Sequence, residues 1–208
     1  LARWQQPKVA RGGKQHRRHE RGCTDANSDA VGARTSPGVT STVNLTAVND
    51  APVATAGGTL AYTENGNAAA IDTTITLADL DDTQLAGATV TISSPVAGDT
   101  LGFTAQNGIS GTYSNGVLTL SGSASVADYQ AALRSVTFSS SSEDPTVNAT
   151  RTSRSVSWAV TDANSDAAGA QTSTGVTSTV NLTAVNDAPV ATAGATLADT
   201  ENGNAAAT

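Results

Sequence analysis

The stretch TSTVNLTAVNDAPVATAG stands twice in this chain, at residues 40–57 and again at 177–194. The identity runs further. Residues 24–71 align without a gap with residues 161–208, at an offset of 137, and 42 of the 48 pairs are identical. The exceptions are Val31/Ala168, Arg34/Gln171, Pro37/Thr174, Gly58/Ala195, Tyr62/Asp199 and Ile71/Thr208. A fixed period is the signature of a tandem array. At this period one complete unit fits, over residues 49–185. Residues 24–48 then read as the last strands of a preceding unit, and residues 186–208 as the first part of the next. With Leu at position 1 and no Met, the sequence reads as a piece of something longer.

Charge divides the chain. Residues 1–22 carry seven of the eleven Lys and Arg and a single acid. Everything after them carries four Arg and seventeen acids. A basic arm can mark nucleic-acid binding, but this one offers only Trp4 as an aromatic. It also shares no residue pattern with the part of the repeat whose place it takes. Residues 1–23 therefore read as a non-repeat segment outside the fold: a leader, a cloning remnant or a mistranslated frame. No nucleic-acid partner is expected. Cys23 is the one cysteine, so no disulfide can form within the chain. No apolar run approaches the ~18 residues that a membrane-spanning helix needs.

The body is rich in Thr, Ser, Val, Gly and Asn and is interrupted every few residues by turn signals, the pattern of an all-β sandwich. Residues alternate in 74–77 (Ile75, Leu77), 89–93 (Val90, Ile92), 116–121 (Leu118, Leu120), 135–138 (Val136, Phe138), 155–160 (Val156, Trp158, Val160) and 179–184 (Val180, Leu182, Ala184). A period of two puts one set of side chains on one face of a strand. Asn107-Gly108 and Asn115-Gly116 are hairpin signals, and the second lies between two strand-like runs. SVADYQAALR, at 125–134, has helical spacing with Ser125 as N-cap, which predicts a short helix crossing between sheets.

The acids gather in loops: Asn49-Asp50, Glu64-Asn65, Asp79-Leu80-Asp81-Asp82, Asp162 to Asp166, and Asn186-Asp187. Oxygen-rich loops suit a hard cation such as Ca²⁺, which takes six to eight oxygen ligands. Solvated acidic turns are the alternative, because Asp and Asn are common turn residues.

The order of these clusters resembles cadherin repeats, and more closely the bacterial cadherin-like and VCBS-type repeats of large surface adhesins. The residues that carry the resemblance are Val48-Asn49-Asp50-Ala51-Pro52, Thr63-Glu64-Asn65, Ala78-Asp79-Leu80-Asp81, Val160-Thr161-Asp162 and Val185-Asn186-Asp187-Ala188-Pro189, with the stretch ADYQAALRSVTF at 127–138. The resemblance implies an Ig- or cadherin-like antiparallel Greek-key sandwich with Ca²⁺ at each junction. By position, the first junction would use Asn49, Asp50, Asp79, Asp81 and Asp162. Glu64 would face the second junction with Asn186 and Asp187. Two departures, no acid upstream of Asn49 and no evident mid-module acidic motif, imply fewer ions or weaker binding. The implied function is a calcium-stiffened spacer in an extracellular or bacterial surface adhesin, its partners the neighbouring repeats of the same chain.

Two other functions remain on this reading. A sandwich of this kind can bind a surface glycan or protein receptor through exposed aromatics, for which Tyr62 and Tyr113 are candidates. An accessory domain of a secreted hydrolase is the more remote one. Catalysis by the module itself is not expected. Asp79 and Asp81 stand two apart in a loop, and both histidines, His16 and His19, lie in the basic segment, leaving no base for a Ser-His-Asp arrangement. Asn44, Asn148 and Asn181 match the glycosylation pattern, which the resemblance to bacterial repeats implies is incidental.

Overall fold

A computed structural model describes residues 16–21, 38–164, 168–188 and 194. Its elements, in chain order, are β1 (His16–Arg21), β2 (Val39–Asn44), β3 (Val53–Thr55), β4 (Thr59–Thr63), β5 (Ala69–Ala70), β6 (Thr76–Ala78) and β7 (Gln84–Ser93), then β8 (Asp99–Gly102), β9 (Ser110–Ser114), β10 (Val117–Ser125), α1 (Val126–Arg134), β11 (Thr137–Ser140), β12 (Ser153–Asp162) and β13 (Val176–Thr183).

The described residues form an all-β sandwich with one short helix. One layer is a six-stranded sheet in the order β4-β13-β12-β7-β10-β9. The other is made of β5-β11-β8 and the pair β3-β6. The alternating residues do what period two requires. Val90 and Ile92 on β7, Leu118 and Leu120 on β10, Val156, Trp158 and Val160 on β12, and Val180 and Leu182 on β13 are all buried. Facing them are Ile71, Ile75, Leu101, Val136 and Phe138. Each large side chain so buried contributes about 1.5–3 kcal/mol. Ala184 departs from the pattern: β13 ends at Thr183, and Ala184 is exposed.

The helix forms as its sequence predicts. Ser125 Oγ accepts from the Asp128 N–H at 3.1 Å, which caps the first turn. Tyr129, Ala132 and Leu133 turn into the core, and α1 carries the chain from the large sheet to β11 in the other layer. Asn115 and Gly116 have φ of 49° and 84° and join Ser114 to Val117 in a two-residue hairpin. These are the left-handed conformations that Asn-Gly accepts most readily.

Among the described residues the antiparallel expectation has one exception. β4 lies parallel to β13, Thr59 beside Thr179 through Thr63 beside Thr183. Parallel neighbours need a long crossover, and here the whole sandwich lies between the two strands. This pair fixes polarity. β4 and β13 both run away from the end where the chain arrives at Asn49, and β12 runs back to it. Asn49, Asp50 and Asp162 therefore lie at one end of the module, and Glu64 and the departing residues 184–188 lie at the other.

The segment read as lying outside the fold also contributes a strand. β1 pairs with β2, His16 beside Asn44 through Arg21 beside Val39. β12 pairs with β13 as Ser153 beside Asn181 through Trp158 beside Val176. The two registers are the same at the offset of 137. Backbone hydrogen bonds set this pairing, and they do not depend on the side-chain pattern that residues 16–21 lack.

Candidate metal centres at the two ends

At the leading end, Asp162 is the fixed point. It lies in phase with Val156, Trp158 and Val160, so strand alternation carries a carboxylate into the core edge, where it is fully buried. Burial demands partners. Its oxygens accept from Asn49 Nδ2 at 2.8 Å, the Gln171 N–H at 2.9 Å and the Asn164 N–H at 3.0 Å. Asn49 Nδ2 also donates to the Gly169 carbonyl at 2.7 Å. The arriving chain is thereby tied to the end of β12. Between β6 and β7, Asp79 Oδ1 accepts from the N–H groups of Asp81 and Asp82, and Asp81 Oδ2 accepts from the Asp50 N–H at 3.0 Å.

The structure thus brings Asn49 to Asp162 and Asp50 to Asp81, with Asp79 beside Asp81. Two buried oxygens there, Asn49 Oδ1 and Asp79 Oδ2, have no hydrogen-bond partner. Burial raises the pKa of Asp79, and the negative charge of Asp81 adds to the rise. Asp166, in the loop after Asp162, lies outside the described residues.

At the trailing end the acids stand closer together. Among the described residues, Glu64, Glu143 and Asp187 are the set of three whose carboxylate oxygens all lie within 4.8 Å of one another. Glu64 directly follows β4 and is buried, while Glu143 and Asp187 are exposed. Glu64 Oε2 accepts from the Val185 N–H at 2.7 Å, and its other oxygen, Oε1, is buried with no partner. The parallel β4–β13 pair explains the meeting, since it delivers Glu64 and residue 185 to the same edge. Glu143 comes from the loop between β11 and β12. Asn186 is exposed.

No family model, curated protein or solved structure matches this chain.

The fit to a hard cation rests on the donor set. Among the described residues the side chains gathered at both ends offer carboxylate and amide oxygens, and the orphaned Glu64 Oε1 at the edge of the trio is an acceptor that burial has left without a donor. Glu143 was missed by the sequence reading, which placed Glu64 with Asn186 and Asp187. The available signal was Glu143-Asp144-Pro145, an acidic pair in a loop, but nothing in its spacing ties it to a residue 79 positions earlier.

The aromatic candidates are packing residues. Tyr62 is 3% exposed and meets Phe138 edge-on at 5.1 Å between ring centroids. Its hydroxyl donates to the Gly66 carbonyl at 2.7 Å and accepts from the Ser140 N–H at 3.1 Å. Tyr113 is partly buried and donates to the Asp99 carbonyl at 2.8 Å. Among the described residues, no helix is long and apolar enough to cross a membrane.

Two acids that the sequence did not single out hold the sandwich together. Asp72 accepts from the N–H groups of Gly57, Gly58 and Thr74 and from the hydroxyls of Thr74 and Ser178. Burial pushes its pKa up, but these bonds outweigh burial and hold it well below the usual carboxylate range. Asp99 pairs with Arg154 at 2.6 Å, both buried, and Arg154 also donates to the carbonyls of Pro145 and Arg151.

Proposed function

We propose that this chain is a calcium-stiffened spacer module of a repetitive bacterial surface or secreted adhesin, working by shape rather than by catalysis. The observation that carries the reading is the trio at the trailing end: Glu64, Glu143 and Asp187 with oxygens within 4.8 Å, beside the point where the chain leaves the body. Three carboxylates so close repel one another, and Ca²⁺ when bound offsets that charge. Glu64 would hold it through Oε1, Glu143 from the β11–β12 loop, and Asp187 from the departing chain. Glu64 already fixes the chain at Val185 through its other oxygen. A cation shared with Asp187 would extend that grip by two residues and set the direction in which the next segment leaves. At the leading end, Asn49, Asp50, Asp79, Asp81 and Asp162 would hold the arriving chain in the same way. The repeat supports the reading, because an array needs a repeated shape rather than a unique site.

The test is thermal unfolding of the full chain in chelator, in millimolar Ca²⁺ and in millimolar Mg²⁺. Ligands that bind only the folded state raise its stability by mass action. A rise with Ca²⁺ that Glu64→Gln with Asp187→Asn removes supports the trailing site. No rise with Ca²⁺ would refute the reading.

A further inference from the structure

Residues 39–46 and 176–183 are the same octapeptide, VTSTVNLT. The structure gives the two copies different surroundings. In β13, Val180 and Leu182 are 0% and 6% exposed. Their counterparts in and just after β2, Val43 and Leu45, are 52% and 41% exposed. β13 lies between β12 and β4, whereas β2 pairs only with β1 among the described residues. One sequence that builds core in one place leaves the same apolar face to solvent in the other.

We propose that β2 is an exchange strand: in a second copy of this chain it takes the place of β13 between β12 and β4, and so joins chains head to tail. The occupant is set by identity. The same side chains would fill the same space, and the same backbone groups would pair in the same register. The exchange also conserves strand pairing, because β1 already holds β2 in the register that β12 uses for β13. A displaced β13 therefore finds in the released β1 the kind of partner that β2 has left. The residues beyond the octapeptide continue the match, since Ala47-Val48-Asn49-Asp50 repeats Ala184-Val185-Asn186-Asp187. The N–H of Val48 can then serve the acceptor's Glu64 as that of Val185 does. The contact joins two different patches, so it propagates into a chain of molecules rather than closing as a dimer. It requires no metal.

The experiment uses the full chain carrying Cys23→Ser, Thr42→Cys and Ser155→Cys, in chelator so that it is independent of any calcium site. Thr42 is the counterpart of Thr179, which sits opposite Ser155 across β12 and β13. Samples over a wide concentration range are mildly oxidised and run on non-reducing gels. The expected result is a ladder of disulfide-linked dimers and longer species whose yield rises roughly in proportion to concentration while occupancy is low. Adding Val43→Asp and Leu45→Asp should abolish the ladder and leave the melting temperature unchanged, since both side chains face solvent in the monomer. Monomer alone at every concentration would overturn the proposal. So would a Thr42–Ser155 link within one chain, or a ladder that survives the two Asp substitutions.

Discussion

Neutralising Glu64 should change stability in opposite directions with and without Ca²⁺. The carboxylate oxygens of Glu64, Glu143 and Asp187 lie within 4.8 Å of one another. At that distance two unit charges in water repel by about 0.9 kcal/mol. Glu64→Gln ends two such repulsions, about 2 kcal/mol in all before screening. The outer two acids are exposed, and at physiological salt the screening length of about 8 Å reduces this to about 1 kcal/mol. Gln is nearly isosteric and keeps an oxygen for the Val185 N–H, so the hydrogen bond survives. In chelator the variant should therefore melt about 2–6 °C above the parent. In Ca²⁺ the order should reverse. A parent at a free ion concentration of 100 times its Kd gains about 2.7 kcal/mol, and the variant, short of one charge, gains much less. Differential scanning calorimetry on both proteins in both buffers reads the four values. If Glu64→Gln melts lower in chelator, then holding Val185 is the whole of what Glu64 does, and the electrostatic argument is wrong.

Asp72→Asn should cost about 2–4 kcal/mol, because a charged acceptor of five hydrogen bonds becomes a neutral one with a single oxygen; urea unfolding at neutral pH measures it. The same carboxylate predicts an acid dependence. Its folded pKa is depressed, so its contribution is complete above the ordinary carboxylate pKa of about 3.9 and is lost as pH falls through the lower folded value. Melts from pH 5 to pH 2 should be steeper for the parent than for Asp72→Asn. Asp79 has the opposite sign: burial and Asp81 raise its folded pKa, so its ionisation weighs on the fold as pH rises. Asp79→Asn should therefore stabilise in chelator at pH 7 and change little at pH 3, as paired melts will show. Arg154→Met should cost about 3–5 kcal/mol by stranding the buried Asp99, and adding Asp99→Asn should return part of the loss in the same urea assay.

Four strands of the large sheet, β7, β10, β12 and β13, were legible because a half-buried strand writes its burial in alternation. Val156, Trp158 and Val160 needed no information from elsewhere in the chain. The helix and the Asn115-Gly116 hairpin were legible for the same local reason, a cap and a left-handed pair of residues. The short strands β3, β5 and β8 were not, since two to four residues carry too little period to separate them from loop. Nor was the parallel β4–β13 pair, because pairing 120 positions apart leaves no mark on either strand. The site followed the same division. Asn49 and Asp162 were picked out with the leading end, and the structure joins them directly. Glu143 escaped because its role comes entirely from the loop that carries it to Glu64. Asp72, Asp99 and Arg154 escaped because an isolated acid or base on a strand or turn looks the same whether it is solvated or buried.

The six differences between the copies bear on which part of the repeat can be exchanged. Three fall before the octapeptide, and their counterparts in the body, Ala168, Gln171 and Thr174, are all exposed. The other three fall on Gly58, Tyr62 and Ile71, where the fold is tight. A Cβ on Gly58 would lie 2.4–2.7 Å from the Asp72 carboxylate, closer than any real contact, and that carboxylate cannot retreat without releasing its five hydrogen bonds. Tyr62 and Ile71 are 3% and 2% exposed in the core. Ala at the first position and Asp at the second cannot be built into this body unchanged. The copy of the opening strands therefore cannot simply replace residues 51–71. The copy of the closing strand can replace 176–183, because over those eight residues nothing differs and in the segment before them only exposed positions do. Freedom to exchange is thus confined to the strand that the structure leaves half-partnered at the leading end of the module.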